Sequence, residues 1–472
     1  MKKDTLSTTI SKRSENISSL FEVKGGSRLL KSRKISSEKL AEIVLRIREK
    51  LNEGLSSAAE KLITATFTEY AHTSENQAKL TQLLAYTYET QGRYKESLEA
   101  IERYDDEELL SELGLETQIE VIAQLAICFN NTNDYPKAVA LLNYALEEAL
   151  TGNLNQLLGE IYVAFSRVYR KLNEFPISRD HAEKALNYYR ENGDWRGMAE
   201  SYQAIALSYH QEGNSEKSLE FFEQAIKIIG SRNAPFLLGK IYSDISGAYW
   251  FLRRPQDGIA CLEKSIKFFE QTEHKIQATA AYNNLGLHLV MRGEWTKAEV
   301  AYGRALELAT AANHVHIAGI LDSLGELKIL RGEFKEAQEL LERSVAIAEE
   351  RKKEWYVIQS LRNLSRSLLM QGKLTEAKET AQETIKLCRQ IGERQIANMA
   401  SLVLAEVCLE EKNIAECEGE LARIEETDPS ADFFVLGNIQ RIRGLLSLED
   451  ADEELAVHHF SRSLTIFETA ED

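Results

Sequence analysis

Small side chains return along this chain with a period near 40 residues, and that period dictates what it folds into. One turn residue per unit gives Gly92, Asn133, Asn173, Gly213, Arg253, Gly293, Gly332, Gly372, Lys412 and Ala451, with successive spacings of 39 to 41. Seven residues before each turn stand Ala85, Ala126, Ser166, Ala206, Ser246, Gly286, Gly325, Ser365, Ala405 and Gly444. Five residues after each turn stand Ser97, Ala138, Ser178, Ser218, Gly258, Ala298, Ala337, Ala377, Cys417 and Ala456. Every residue in both columns is small. A fixed period of this length marks a stack of like units, each burying its apolar face against its neighbours.

Two antiparallel helices approach closely only where their contact rows carry small side chains. A small residue before the turn and one twelve positions later therefore read as the crossing point of a helical hairpin. Bulky residues flank it, such as Tyr88, Phe129 and Tyr169 before the turn and Tyr94, Tyr135, Phe175 and Trp295 after it. A third small column (Ala145, Ala185, Ala225, Ser265, Ala305, Ser344, Thr384, Ser463) reads as the face on which the next hairpin docks. Pro136 and Pro176 fall where second helices begin, a position that accepts proline. The expected fold class is all-α, a solenoid of about ten antiparallel hairpins over residues 78–472. A degenerate capping hairpin over 37–77 and a flexible basic arm over 1–36 precede it. In that cap, Ser36 or Ser37 starts a helix reaching about Asn52, Gly54 copies the turn, Ala59 copies the second small position, and Ile47 breaks the first.

The unit Ala281-Tyr282-Asn283-Asn284-Leu285-Gly286-Leu287-His288, Arg292-Gly293-Glu294-Trp295-Thr296-Lys297-Ala298, Arg304-Ala305-Leu306-Glu307-Leu308 resembles a tetratricopeptide repeat. The resemblance covers about 78–470. It is similar to the longer-period repeats of kinesin light chain, LGN and the sensor regions of MalT-type bacterial regulators. The unit at 253–258 departs most, with Arg253 in place of the turn glycine and Pro255 in place of the aromatic. The resemblance implies a right-handed superhelix whose concave face is lined by the first helix of each hairpin. It also implies that an asparagine just before the Leu-Gly or Leu-Ala pair contacts bound peptide, the position held here by Asn284 and Asn363.

Composition narrows the function. Net charge is −17, but residues 1–39 carry ten Lys/Arg against four Asp/Glu, which leaves −23 on the remainder. An acidic body argues against nucleic-acid binding, which runs on phosphate neutralisation. The basic Ser/Thr-rich head reads either as a disordered tail or as an arm that docks on an acidic partner. No apolar run approaches the roughly 18 residues of a membrane span. The five cysteines lack paired spacing, as expected of reduced thiols in a cytoplasmic protein. Neither His314-Val315-His316 nor His458-His459 has further ligands at metal spacing, and no nucleophile, zinc or dinucleotide motif is present. No cofactor, no metal and no enzymatic activity are expected.

Concave-face positions are read three before and one, four and five after the first small column. They give a basic patch at Arg167, Arg170 and Lys171. An apolar patch follows at Trp250, Phe251, Val290 and Met291, extended by Ile329, Leu330, Leu369 and Met370. Arg362 and Arg366 sit beside it, and Asn283, Asn284 and Asn363 supply amides that both donate and accept hydrogen bonds. Exposed aromatics and arginines anchor interfaces. The expected partner-binding groove is thus Arg167, Arg170, Trp250, Phe251, Asn283, Asn284, Met291, Arg362, Asn363 and Arg366. The expected function is a scaffold holding a protein or peptide segment there. The alternative is the ligand- or peptide-sensing part of a bacterial signalling or transcription regulator whose output lies outside this chain. The last second helix carries Leu464, Ile466 and Phe467 with no polar closing helix after it, which points to self-association or a partner at that end.

Overall fold

All ten expected turn residues adopt a positive φ, from 55° at Arg253 to 95° at Gly213. In the left-handed region only glycine is unstrained, with asparagine the next best tolerated. Arg253, Lys412 and Ala451 nonetheless take it, at 55°, 58° and 58°. The requirement is set by the hairpin, and the residue type only modulates its strain. The computed structural model describes residues 33–312, 314, 316–428 and 431–469.

Twenty-three α-helices follow one another among the described residues. The hairpin expected to cap the array is α1 (Ser37–Asn52) with α2 (Ser56–Glu69). Next come α3 (Ser74–Thr90) with the shortened α4 (Tyr94–Ile101) and α5 (Glu107–Ser111), and α6 (Leu115–Asn131) with α7 (Tyr135–Thr151). The pairs α8 (Asn155–Lys171) and α9 (Phe175–Glu191), α10 (Trp195–Gln211) and α11 (Ser215–Ile229), and α12 (Pro235–Phe251) and α13 (Pro255–Phe269) follow. After them stand α14 (Lys275–Met291) and α15 (Trp295–Ala311), α16 (Ile317–Leu330) and α17 (Phe334–Glu350), and α18 (Glu354–Met370) and α19 (Leu374–Ile391). The last two pairs are α20 (Arg394–Glu410) with α21 (Ile414–Thr427) and α22 (Phe433–Glu449) with α23 (Glu453–Thr469). This is an all-α repeat solenoid.

The array divides into two compact units, Met1–Ala281 and Tyr282–Asp472. Its first regular helix begins at Ser74, ahead of the expected 78. Ser36 caps α1, its hydroxyl accepting from the Lys39 N–H at 3.2 Å. The expected basic arm lies outside the described residues up to 32. Arg33 and Lys34 form a two-residue parallel ladder with Tyr70 and Ala71. The α3 hairpin is less regular than expected: after Ile101 the chain makes a 3-10 turn over Glu102–Asp105, which buries Tyr104.

The small columns meet as the spacing requires. All twenty residues of the first two columns are buried. The Ser97 hydroxyl donates to the Ala85 carbonyl at 2.7 Å, and Ser178 to Ser166 at 2.8 Å, each pair twelve residues apart across the turn. The third column does more than dock the next hairpin. Ser265, Ser344 and Ser463 donate to the carbonyls of Gly239, Ala318 and Gly437 in the first helix of their own hairpins, at 2.7, 2.7 and 2.8 Å. Ser344 also meets Ser360 of the following hairpin at 2.7 Å. In the cap, Ile47 is fully buried and packs with Ile43, Ile63, Leu80 and Leu84. The residue that breaks the small column there packs into the core shared with the next hairpin.

Candidate functional site

In the first unit the opening helices of successive hairpins face a common interior, a cavity of about 290 Å³. Gln82 and Tyr86 come from α3, Gln124 and Ile127 from α6, Val163 and Arg167 from α8, and Arg196 and Glu200 from α10. Arg48 and Asn52 of α1 close the ring of residues, and Tyr189 of α9 reaches in from a second helix. A Cβ on Gly197 would lie 2.3 Å from the Tyr189 ring, and one on Gly159 2.7 Å. Glycine at both positions lets that ring fill the gap between α8 and α10.

Charge dominates this wall. Arg167 pairs with Glu89 at 3.3 Å, and Arg196 pairs with Glu200 at 3.2 Å while donating to Asn52 Oδ1 at 2.5 Å. Arg48 approaches Glu120 at 3.7 Å. Asp194 caps α10, accepting from the Arg196 and Gly197 N–H groups at 2.9 and 3.2 Å. Glu160, accessible from the cavity, has no ion-pair partner among the described residues. The surrounding protein, helped by the charge of Glu120, raises it to about 7, with Arg48 opposing. For Glu200, burial raises the carboxyl, but Arg196 and Arg167 outweigh it, so the net direction is down.

The two ends of this unit touch. Glu273 N–H donates to the Gly54 carbonyl at 3.0 Å, and its carboxylate accepts from Ser57 N–H at 2.8 Å. Ser56 Oγ lies 3.3 Å from His274 Nε2, and Gln277 donates to the Thr90 carbonyl at 3.1 Å. The His274 ring stacks on Phe236 with centroids 3.8 Å apart. A Cβ on Gly54, whose φ is +76°, would meet Thr272 at 2.6 Å. The hairpins of the first unit have therefore come round one turn of the superhelix, and the link before α14 clasps the turn between α1 and α2.

The residues singled out by sequence fall into several settings. Arg167 is on the cavity wall, paired with Glu89. Arg170, one turn further along α8, is depressed by burial, with Asp244 acting against it. Trp250 is half-buried at the end of α12. Phe251 is 70% exposed and meets His210 edge-on, centroids 5.2 Å apart. Asn283, Asn284 and Met291 are half-buried on α14. In the second unit, Arg362 stands beside Asp322. Burial raises that carboxyl to about 6, while Arg362 and an Asn363 hydrogen bond pull it down. Asn363 is buried, and its amide donates to Asp322 at 3.0 Å, which corrects its reading as a groove-facing handle. Ile329 and Leu369 are likewise core residues, while Leu330, Met370 and Arg366 are exposed.

The cavity wall also contains residues that the concave-face register passed over. Its rows lie six, three and two residues before the first small column and one after it. The row at six before holds Glu120, Glu160 and Glu200, spaced by one repeat each, then Lys240. Like residues at one register are visible in the sequence, but paired acids abound in this chain and hid them. A second register is shared by both units: Gln203 donates to Asp244 at 2.6 Å as Asn363 does to Asp322, each bond joining neighbouring first helices.

The class of protein defined here is a helical-hairpin solenoid with a charged inner wall. Residues 252–465 match the MalT-like TPR region and residues 157–229 match the Tetratricopeptide repeat family. The chain belongs to the tetratricopeptide-repeat superfamily. No curated protein matches the sequence. Among solved structures, a signal transduction ATPase of the STAND type with a tetratricopeptide-repeat sensor, from Pyrococcus horikoshii, has a TM-score of 0.53 at 13% identity, over 93% of this chain and 74% of that one. The apo quorum sensor NprR from B. thuringiensis has a TM-score of 0.51 at 13% identity, over 74% of this chain and 99% of that one. Apo RapI also scores 0.51 at 13% identity, over 58% of this chain and 98% of that one. At these identities the likeness describes the fold alone.

Proposed function

We propose that this chain is an interaction protein that holds a peptide or an extended segment of a partner against its first helices. The observation that carries this reading is the interior of the first unit. Five first helices converge on one cavity, and its wall mixes amides, aromatic hydroxyls and charges with apolar side chains, the mixture that fixes a ligand's orientation. In the first unit Phe251 and Arg170, and separately in the second Arg366, present the aromatic and cationic types that anchor interfaces. In this reading Trp250 adds contacts in the first unit, while Asn283, Asn284, Met291 and Arg362 offer a surface of their own in the second, which Asn363 supports from beneath. Photocrosslinking in native cells tests it, with p-benzoylphenylalanine placed at Gln82 or Phe251 and, as an outer-face comparison, at Glu183 of α9. Adducts from Gln82 or Phe251 alone support the groove. Adducts from Glu183 alone, or from no position, overturn it.

The match of 252–465 to the MalT-like region favours a sensory use of the first helices of the hairpins it covers. Binding would then shift the hairpin array between arrangements and bias an output outside this chain. The change would appear as altered amide exchange across the hairpins of the occupied unit. A crosslinked ligand that leaves exchange unaltered beyond its contacts argues for a plain scaffold.

A further inference from the structure

We propose that the second unit holds a site for a small organic carboxylate, in a cavity of about 350 Å³ enclosed by the closing turns of α19 and α21 and the opening turns of α20. The site uses none of the groove residues above and stands whether or not a peptide binds them. The register of the repeat shows why the cavity exists. Four residues before the first small column, the seven hairpins from α6 to α19 all carry Ile, Tyr or Leu, ending with the buried Leu321 and Leu361. In the next hairpin that position is Ser401. Seven residues before the column, the buried Ala318 and Ile358 give way to Asn398. Both polar residues line the cavity, at only 9% and 6% exposure. The Ser401 hydroxyl has no hydrogen-bond partner among the described residues. The Asn398 amide donates to Asp428 at 2.8 Å. An unfilled gap and an unmet buried hydroxyl both cost stability. Packing of the hairpin requires neither, since leucine fills the same place one repeat earlier. A local rule broken without structural return marks a functional site.

The rim supplies the charge. Arg389, Arg394 and Arg423 line the cavity, with Glu393 and Asp428 among them. One repeat earlier the three arginine positions are Glu349, Glu354 and Glu383. An adjoining hollow, which shares Ile385, Arg389 and Arg423, adds Lys386 and Glu420. Glu420 pairs with Arg423 at 2.6 Å, while Arg389 and Arg394 have no ion-pair partner among the described residues. Four cations thus stand with three carboxylates, and one negative charge balances them. The opening turn of α20 has no side-chain cap, so its N–H groups add positive partial charge at the same place. A guanidinium takes a carboxylate through two parallel hydrogen bonds. Ile385, Cys388, Ala397 and Ile424 give the ligand an apolar wall. Burial pushes the Cys388 thiol up to about 11, so it stays neutral there. Ser401 and Asn398 are left to meet a hydroxyl or keto group on the ligand body. The volume is near the lower end for ligand sites, which suits a small acid and excludes a macromolecule.

Saturation-transfer NMR titrations on the full chain test this with mandelate, 4-hydroxybenzoate and 2-oxoisocaproate, each beside its primary amide, and with phenyl phosphate. A charge-assisted hydrogen bond predicts that at least one acid binds about tenfold or more tighter than its amide. Ser401→Leu with Asn398→Ile restores the residues of the preceding hairpin and fills the cavity. That variant should melt no lower than the natural chain and bind the acid about tenfold or more weaker. Arg389→Gln with Arg394→Gln leaves the floor intact and should bring acid and amide within about threefold, which keeps the test open if the filled variant does not fold. Acid binding that survives in the filled variant overturns the assignment, because the ligand then sits elsewhere. Acids and amides binding alike overturn the carboxylate as the recognised group. Failure of all three acids to bind overturns the site and leaves the groove reading untouched. Phenyl phosphate binding about tenfold tighter than every acid makes a phosphate ester the ligand class and overturns the carboxylate.

Discussion

At the residue scale, steric room decides the sign of otherwise similar changes. Gly286 and Gly303 are both in helices, where alanine is favoured over glycine by up to about 1 kcal/mol. A Cβ on Gly286 would stand 2.3 Å from the Tyr302 ring, which is 1% exposed and has nowhere to go. Overpacking of that kind costs about 1–3 kcal/mol. Gly286→Ala should therefore destabilise, by about 1 kcal/mol net, whereas Gly303, with nothing within 4 Å, should become more stable on the same change. Denaturant midpoints of the two variants check this, and equal signs would refute it. Lys412→Gly should stabilise by about 1 kcal/mol, because a non-glycine side chain at φ 58° bears a left-handed penalty of that order. Glu160 gives a pH signature. Its folded value near 7 is above the ordinary 4.5, so between those limits the folded chain holds the proton that the unfolded chain has released. The Glu160 contribution to stability thus falls as pH rises from about 4.5 to 7. Glu160→Gln should melt higher than the natural chain at pH 8, and the difference should vanish near pH 4.5. The neighbouring charges that set the size of the gap are Glu120, Glu200, Asp194 and Arg48. An equal melting temperature at pH 8 would mean that Glu160 is compensated there.

At the element scale, the hairpin was legible because its geometry repeats. The positive φ at Lys412 and Ala451 was placed by counting alone, with no help from residue type. The buried Ser97 and Ala138 followed from the same count. What the count does not supply is direction around each helix to within one row, so it passes over Glu160 and places Ile329 in the groove. Contacts between hairpins distant in sequence were also out of reach: nothing at Gly54 or His274 announces that they meet, 220 residues apart in chain order. The resemblance to peptide-contacting asparagines puts Asn363 in the groove, yet its amide lies one row deeper and bonds Asp322. The clasp makes an element-scale prediction. Gly54→Ala places a Cβ 2.6 Å from Thr272 at a φ of +76°, so it should part the clasp without touching a hairpin core. Hydrogen exchange should quicken together at 54–57 and 272–277, including the Glu273 amide that donates to Gly54. Acid should act in the same direction. Burial holds His274 near 4 against an ordinary 6.5, so the unfolded chain takes a proton first and stability is lost as pH falls through that window. Exchange at 272–277 unchanged by both Gly54→Ala and acid would show that the clasp carries no closing force.

At the scale of the whole molecule, the two units should differ in how they come apart. A solenoid held only by nearest-neighbour interfaces opens from its ends, because each hairpin loses one contact face there. In the second unit the described hydrogen bonds and ion pairs join hairpins adjacent in sequence, as Asn363 does to Asp322. Its terminal pair α22 and α23 also leaves Leu455, Val457 and Leu464 at 43%, 64% and 58% exposure. That unit should show a gradient of amide protection that declines toward α23. The first unit has its ends joined by the clasp, so fraying at either end must break Glu273–Gly54 and Ser56–His274 as well. Its amides should share a common opening free energy over several hairpins. Native-state exchange on the full chain at low denaturant distinguishes the two patterns. Gly54→Ala should convert the first unit to a gradient like that of the second. Gly444→Ala, whose Cβ would stand 2.6 Å from Phe460, should speed exchange in α22 and α23 and leave the first unit as it was. If the natural first unit already frays from α1 inward, its joined ends do not make it cooperative, and a ligand would then enter by fraying instead of by parting the clasp.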